Sequence, residues 1–185
     1  FYFIYFLISS SLFILIKFLK FFNKKIYQHI DSYSYSFKNV LNALDKIDRT
    51  KTDILLFHAA SAGEFEQLKP ILSKINRKKY YIVQSFTSPT IFNKEYDNDL
   101  FDICCYHPLD FFWKSYYFFK QINPKAYIVT RHDIWPNHLL ISNILKIKSF
   151  YINANFHQKS VWIKPYYKFI SKIIFQNLSF CLVPS

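Results

Sequence analysis

Short apolar segments alternate with segments of helical spacing from Asp53 onward, and this alternation restricts the fold more than any other feature of the chain. The predicted strands are Asp53–Phe57, Tyr80–Gln84, Ile103–Tyr106, Ala126–Thr130, Ser149–Ile152 and Phe180–Val183. The predicted helices are Glu64–Ile75, Thr90–Tyr96, Pro108–Lys120, Pro136–Leu145 and Val161–Phe175. Strands that alternate with helices are typical of βαβ units. We therefore expect an α/β fold in which helices flank a parallel, doubly wound sheet.

The first 25 residues predict a membrane anchor. The segment Phe1–Ile16 has no charged side chain, and lysines follow it at positions 17, 20, 24 and 25. An apolar helix needs about 20 residues to span a bilayer, and flanking lysines favour the cytoplasmic side. In a signal peptide the positive charges precede the apolar core, whereas here they follow it. A buried core helix is the alternative, and the pattern leaves open whether an anchor spans the bilayer or lies on it.

The rest of the chain divides into a connector and a lobe. Residues 26–52 are rich in serine and tyrosine, and they predict a polar connector with a short amphipathic helix over residues 37–47. Residues 53–185 form the α/β lobe. The chain contains no methionine, begins within an apolar run and stops shortly after the last predicted strand. We therefore expect it to be a fragment of a longer protein.

Composition narrows the classes of partner. The chain has 24 lysines and arginines against 12 aspartates and glutamates, which favours an acidic partner such as an anionic lipid or a phosphorylated substrate. Nucleic acid is the least favoured, because the basic residues are dispersed and form no reading motif. A single glycine excludes Gly-rich dinucleotide and phosphate loops. Cys104, Cys105 and Cys181 lack metal-ligand spacing and are expected to be reduced thiols, while the isolated His107 and His138 are expected to be structural.

The turn Ser61-Ala62-Gly63-Glu64 follows the first predicted strand and is the first candidate site. Gly63 is the one glycine in the sequence, so we expect either a left-handed backbone or a close approach of another group there. Glu64 opens the next helix, which places its carboxylate near the positive end of the helix dipole. In open α/β sheets such turns bind ligands. A plain capped turn would use the same residues.

Two further segments also follow predicted strands. Arg131-His132-Asp133 combines a cation, an imidazole and a carboxylate. Because the carboxyl ends of parallel strands share one edge, we expect Asp133 and Glu64 to line the same crevice. Thr87 and Ser88 offer hydroxyl and amide groups at a helix start, which suit a phosphate or a sugar. The alternative for Arg131-His132-Asp133 is a structural network around a tryptophan. The alternative for Thr87 and Ser88 is a simple helix cap.

Taken together, these residues resemble the 3-deoxy-D-manno-octulosonic acid (Kdo) transferase family, also called lipid IVA Kdo transferase. The matching motifs are His58-Ala59-Ala60-Ser61-Ala62-Gly63-Glu64, Thr87-Ser88-Pro89-Thr90, Tyr106-His107-Pro108-Leu109-Asp110, Asp133-Ile134-Trp135-Pro136-Asn137 and Asn153-Ala154. They occur in the family's order and spacing over nearly the whole chain. The first motif and the Trp-Pro-Asn motif are specific in combination, whereas each alone is weak.

The resemblance implies the N-terminal, Rossmann-like acceptor lobe of a two-lobed GT-B glycosyltransferase. Such an enzyme transfers Kdo from CMP-Kdo to a lipid A precursor (lipid IVA) at the cytoplasmic face of the inner membrane, with inversion and without a metal or cofactor. By motif, Glu64 matches the family's general base and Asp133 a second acidic position. The implied acceptor-binding positions are Ser61, Ala62, Gly63, Thr87, Ser88, Arg131 and His132. The nucleotide-binding lobe would lie outside this fragment, which alone should be inactive.

Two other interpretations stay open at this point. A GT-B enzyme that moves another sugar to a lipid would share this lobe, and the donor lobe would distinguish it. A non-catalytic membrane-bound module or remnant is the second, and coding sequence beyond Ser185 would exclude it.

Overall fold

The computed structural model describes residues 1–131, 133–154 and 164–183. Its helices are α1 (Tyr2–Leu19), α2 (Lys24–Leu44), α3 (Ala62–Leu72), α4 (Pro89–Glu95), α5 (Phe112–Ile122), α6 (Pro136–Ile144) and α7 (Lys168–Phe175), with a 3₁₀ turn at Pro165–Tyr167. Its strands are β1 (Asp53–Ala59), β2 (Tyr80–Phe86), β3 (Ile103–Tyr106), β4 (Ala126–Thr130), β5 (Lys148–Ile152) and β6 (Phe180–Cys181). From β1 onward, strands and helices alternate as the sequence predicts.

The described strands form one parallel sheet in the order β3-β2-β1-β4-β5-β6. β1 pairs with β2 on one side, where Leu55 lies opposite Ile82, and with β4 on the other, where Leu55 lies opposite Ala126. The strand order therefore reverses between β1 and β4. In doubly wound sheets, ligands bind in the crevice outside the carboxyl ends of the strands at such a switch point. The predicted α/β fold is confirmed, and its crevice is located.

Helices cover both faces of the sheet because successive strand residues point to opposite sides. Leu56 and Val83 pack in the core on the face covered by α2, α5 and α6. Their neighbours Phe57 and Ile82 pack in the core on the face covered by α3 and α4. A strand buried on both faces has a continuous apolar sequence, which is why the central strands were readily recognised.

Residues 24–44 form a single helix of the lobe, so the predicted connector with a short helix over residues 37–47 is wrong in extent. α2 begins after Asn23, whose side-chain oxygen accepts hydrogen bonds from two N–H groups of the first turn. Phe37, Val40 and Leu44 follow at helical spacing and join the core. The helical spacing of apolar residues was not evident in the first turns of α2, because only a narrow face of this helix is buried and serines and tyrosines occupy much of the rest.

β3 and β4 have the predicted boundaries, and the boundaries of the other elements differ from the predicted ones by a few residues. β1 extends to Ala59 and β2 to Phe86, two residues beyond each predicted end. The predicted strands end before His58 and Ser85 because these polar residues interrupt the apolar pattern, yet both are buried within the sheet. Of the helix predicted over residues 161–175, the structure shows α7 from Lys168 to Phe175, and residues 161–163 lie outside the described residues.

α1 lies on the surface of the lobe, beside the carboxyl edge of the sheet. The Tyr5 hydroxyl donates a 2.7 Å hydrogen bond to Asp110, and the Phe13 ring packs edge-on against Phe111 with centroids 4.9 Å apart. Within this helix only Ser9 is buried. The outer face is exposed and apolar, and includes Phe3, Ile4, Leu7, Ile8, Ile14, Leu15 and Phe18. By length and composition alone, α1 is able to cross a membrane.

Candidate active site

The turn between β1 and α3 opens at the switch point. Ser61 is the N-cap of α3, and its hydroxyl oxygen lies 3.4 Å from the Glu64 backbone nitrogen. In return, the Glu64 carboxylate accepts a 2.7 Å hydrogen bond from the backbone N–H of Ala60. This reciprocal pattern is a form of capping box. Ser61, Ala62 and Gly63 are exposed, whereas Glu64 is only 6% exposed, so small residues border a buried carboxylate.

Gly63 does not have the left-handed backbone that we expected. No glycine in the described residues has a positive φ, and a Cβ placed on Gly63 would meet no atom within 4 Å. Neither the backbone conformation nor packing within the chain therefore requires glycine here. What the glycine provides is open space in front of the first turn of α3.

Burial perturbs the Glu64 carboxyl. Removal from water raises its pKa above the ordinary value, and the negative charge of Asp133 adds to the rise. The hydrogen bond from Ala60 and the charge of His58 oppose this effect, but the net direction is upward. A carboxyl with a raised pKa is a better proton acceptor than an ordinary exposed glutamate.

Asp133 pairs with a histidine that sequence reasoning did not assign to the site. The Asp133 carboxylate forms a short hydrogen bond with Nε2 of His58, although the two residues are 75 positions apart. Its other oxygen accepts a 2.7 Å bond from the indole N–H of Trp135. The His58 side chain is fully buried and that of Asp133 is 13% exposed. β1 and β4 are neighbours, so the two strands bring this pair together at the switch point.

Hydrogen bonds and burial together determine the pKa of Asp133 and the orientation of the His58 ring. Burial raises the pKa of the Asp133 carboxyl, but the charge and hydrogen bond of His58 outweigh burial and hold that pKa below its ordinary value. The other ring nitrogen of His58, Nδ1, lies 3.2 Å from the Ser85 carbonyl oxygen, which can only accept. The Ser85 hydroxyl oxygen lies 3.1 Å from the same nitrogen, so Ser85 and Asp133 hold the imidazole ring from its two sides.

The remaining predicted site residues are distributed along the same edge. Arg131 follows β4 with a φ of 61°, an uncommon left-handed conformation for arginine that often marks functional sites. His132 lies outside the described residues. Thr87 and Ser88 follow β2 and line an apolar groove with α1 and α2, and the Thr87 carbonyl oxygen lies 2.8 Å from Nδ1 of His29. The structure therefore brings Glu64 and Asp133 together and places Thr87 and Ser88 one strand away.

His107 and His138, which we expected to be isolated, belong to a buried polar chain that starts at His58. Ser85 Oγ lies 3.1 Å from His58 Nδ1 and 2.9 Å from His107 Nδ1. His107 Nε2 in turn lies 3.1 Å from His138 Nδ1. The backbone N–H of His138 donates a 3.0 Å hydrogen bond to a carboxylate oxygen of Asp110, the residue that accepts from the hydroxyl of Tyr5 in α1. These buried polar residues connect the His58–Asp133 pair to Asp110, which contacts α1.

Burial also determines the charge of these polar side chains. Desolvation lowers the pKa of His107 well below its ordinary value and lowers that of His138 to about 3, so both rings are neutral. Burial raises the pKa of Asp110 to about 6 despite the hydrogen bonds it accepts. The sequence could have assigned two of these histidines to the site by their position, because His58 and His107 both lie at or just beyond the carboxyl ends of strands.

The structure is a doubly wound α/β lobe with two acidic side chains, Glu64 and Asp133, near the carboxyl edge of its sheet. The family model described as "3-Deoxy-D-manno-octulosonic-acid transferase (kdotransferase)" matches residues 21–185, and the chain belongs to this family of glycosyltransferases. A 3-deoxy-D-manno-octulosonic acid transferase of Aquifex aeolicus (strain VF5) is 34% identical over 98 residues, which cover 50% of this chain. The match spans only 26% of that relative's length.

Two solved structures are similar to part of this chain. They are UDP-GlcNAc 2-epimerases, one from Methanocaldococcus jannaschii and one from Neisseria meningitidis bound to UDP-GlcNAc. Both have a TM-score of 0.46, with identities of 12% and 10%, and both cover 72% of this chain. The matches cover 39% and 40% of the two epimerase chains.

Proposed function

We propose that this chain is the acceptor lobe of an enzyme that transfers Kdo from CMP-Kdo to a lipid A precursor, lipid IVA. The observation that carries the proposal is the position of Glu64 in a Kdo transferase family chain: a buried carboxyl with a raised pKa, next to an open turn of small residues at the switch point. We infer that the donor nucleotide is bound mainly by a second lobe outside these 185 residues, as in a GT-B enzyme.

Glu64 would act as the general base. As an acceptor sugar hydroxyl attacks the anomeric carbon of Kdo, its proton passes to the Glu64 carboxylate and a new C–O bond forms. The bond from that carbon to the phosphate oxygen breaks, and its electron pair leaves with CMP. Attack opposite the leaving group inverts the anomeric configuration. No metal enters this scheme, and the proton acceptor is fully supplied by the chain itself.

Asp133 and His58 support this chemistry by positioning and by charge. The Asp133 carboxylate raises the pKa of Glu64, and the His58 charge lowers it. The pair therefore tunes the base while the hydrogen bond to Trp135 fixes the orientation of Asp133. Ser61, Ala62 and Gly63 leave room for the acceptor sugar. We infer that Arg131 provides positive charge for the acceptor phosphates, and His132, which the sequence also assigns to the acceptor, lies outside the described residues.

A transfer assay with the full-length protein tests the proposed function. We expect radiolabelled Kdo to move from CMP-Kdo to a lipid A precursor, and no label to move from UDP-GlcNAc in a parallel reaction. Chromatography of the lipid product measures both. Transfer from UDP-GlcNAc with none from CMP-Kdo would assign the lobe to a different sugar transferase.

We also propose that α1 holds the protein on the cytoplasmic face of the inner membrane by lying along the surface of the bilayer. Its inner face is occupied by the contacts of Tyr5 and Phe13 with the lobe, which leaves the outer apolar face for lipid. Lysines at positions 17, 20, 24 and 25 would meet anionic headgroups.

Membrane fractionation tests this attachment. We expect the full-length protein in the membrane fraction and a double variant, Ile4→Glu with Ile14→Glu, largely in the soluble fraction, because these side chains are 61% and 72% exposed and would contact lipid. Tyr35→Glu, at an equally exposed position of α2, is the matched control and should stay with the membrane. A double variant that remains membrane-bound would contradict the role of α1.

A further inference from the structure

An apolar groove of about 330 Å³ lies where the end of α1, the start of α2 and the turn after β2 meet. Its aliphatic lining comes from four parts of the chain and consists of Ile16, Ile26, Ile30, Pro89 and Leu109. Thr87, Ser88, His29 and Lys25 complete the wall. This volume lies within the range of small-molecule binding sites, which are mostly apolar with a few polar groups.

The groove continues toward the candidate active site. A second cavity of about 130 Å³ lies beneath α1 and shares four lining residues with the groove: Ile16, His29, Thr87 and Leu109. Its far end is lined by Asp110 and Trp135. The shared residues show that the two cavities adjoin, and we call them together the path. Trp135, in the wall of the path, donates its hydrogen bond to Asp133.

We propose that this path holds a hydrocarbon chain of the lipid acceptor, an inference that rests on the proposed transferase function. Among the residues that line the groove, His29 alone has an aromatic ring, and flexible aliphatic side chains match a flexible acyl chain better than a flat ligand. The second cavity is lined by both aliphatic and aromatic side chains, among them Leu12, Tyr5 and Phe111. The outer face of α1 is apolar, so the groove opens beside the surface that would meet the membrane. Lys25 is exposed at the rim, where its ammonium group can face anionic headgroups.

The arrangement of the strands indicates where a bound acyl chain would place the sugar attached to it. The groove lies beside the turn after β2, and β2 is the immediate neighbour of β1, which leads to Glu64. Neighbouring strands are about 4.8 Å apart. An acyl chain seated in the path would therefore place its attached sugar at the carboxyl edge that carries Glu64 and Asp133.

Photolabelling tests the groove without relying on catalysis. The full-length protein is irradiated with dodecanoic acid that carries a diazirine at its methyl end, and labelled residues are mapped by mass spectrometry. We expect label at Ile26, Ile30 and Leu109. Ile30→Trp fills the groove and should reduce this label by about 10-fold, whereas Tyr35→Trp, at a position that is 72% exposed on the same helix, should not.

Label confined to the outer face of α1, at residues such as Ile4 and Ile14, would overturn the proposal, because it would show contact with bulk lipid only. Label that persists in the groove of Ile30→Trp would overturn it as well. Circular dichroism establishes that each variant is folded, and Ile26→Trp replaces Ile30→Trp if the latter unfolds.

Kinetics separate the acyl site from the transferase proposal. Ile30→Trp should raise KM for the acylated acceptor by about 10-fold and leave KM for the chemically deacylated acceptor unchanged. An equal rise for both acceptors would overturn the acyl site and leave the transferase proposal intact. Absence of Kdo transfer to either acceptor would overturn the transferase proposal, and the photolabel would still decide whether the groove takes an acyl chain.

Discussion

Replacement of Glu64 by glutamine in the full-length protein will lower the rate of Kdo transfer by about 10²–10⁴-fold, the usual contribution of a general base. Glutamine keeps the size of the side chain, and its carbonyl oxygen can still accept the hydrogen bond from Ala60, so the first turn of α3 should stay intact. The loss should therefore appear in kcat, with little change in KM for the acceptor. Steady-state kinetics with CMP-Kdo and a lipid A precursor measure both constants.

Glu66→Gln is the matched control for this substitution. Glu66 lies two positions further along α3, is exposed, and pairs with Lys69 at 2.7 Å. Its removal should leave kcat nearly unchanged, because an exposed ion pair contributes little. Near-normal kcat in Glu64→Gln together with a large loss in Glu66→Gln would show that the wrong carboxylate was assigned.

The pH profile provides a second measurement of the same group. A general base must be deprotonated, so kcat should fall as the pH drops through the Glu64 pKa, which burial raises above its ordinary value. The acid limb should therefore lie at a higher pH than an exposed glutamate would give. In Glu64→Gln this limb should disappear from the residual activity.

Asp133→Asn will destabilise the lobe strongly, by about 3 kcal/mol, because it leaves the buried His58 without its charged partner. We place the effect at the low end of the range for broken buried ion pairs because the Asp133 side chain is 13% exposed. Urea denaturation followed by circular dichroism measures the loss. Asp97→Asn, which removes an exposed carboxylate, is the control and should change stability little.

The pH dependence of stability should identify the pair. Since the pKa of Asp133 is lowered in the folded state, its stabilising contribution is present above about pH 4, the ordinary carboxyl pKa, and is lost as the pH falls through the lower folded-state value. The variant should lack this acid-dependent component. A variant as stable as the parent at pH 7 would mean that the His58–Asp133 contact is not a strong interaction in solution.

The sequence was informative where a local pattern carries the structure. β3 and β4 were predicted to the residue, because each is a short, mostly apolar run with a charged or polar residue on either side. The same logic placed Glu64 and Asp133 just beyond strand ends, and parallel strands leave such residues at one edge. The family motifs rest on these same turn residues, which is why the resemblance and the physical reasoning led to one edge of the sheet.

Local patterns gave wrong predictions in two situations: where polar residues belong to a helix with a narrow buried face, and where a small residue has no structural requirement. The serines and tyrosines of residues 26–36 resembled a connector, yet they belong to α2, whose buried face is narrow. Gly63 predicted an unusual backbone, but its φ is ordinary and the space in front of it is open. Composition cannot distinguish a glycine required by the backbone from one that leaves room for a ligand.

The sequence by itself determined the α/β class, the strand ends and the residue types at the crevice, because spacing along the chain controls which side chains share a face. Only the tertiary structure decided that β1 lies beside β4, and therefore that His58 binds Asp133. It also decided that His58, His107 and His138 form one buried chain, and that α1 closes an apolar path to the site. These contacts join residues far apart in the chain, and they form through long-range packing that no local period encodes.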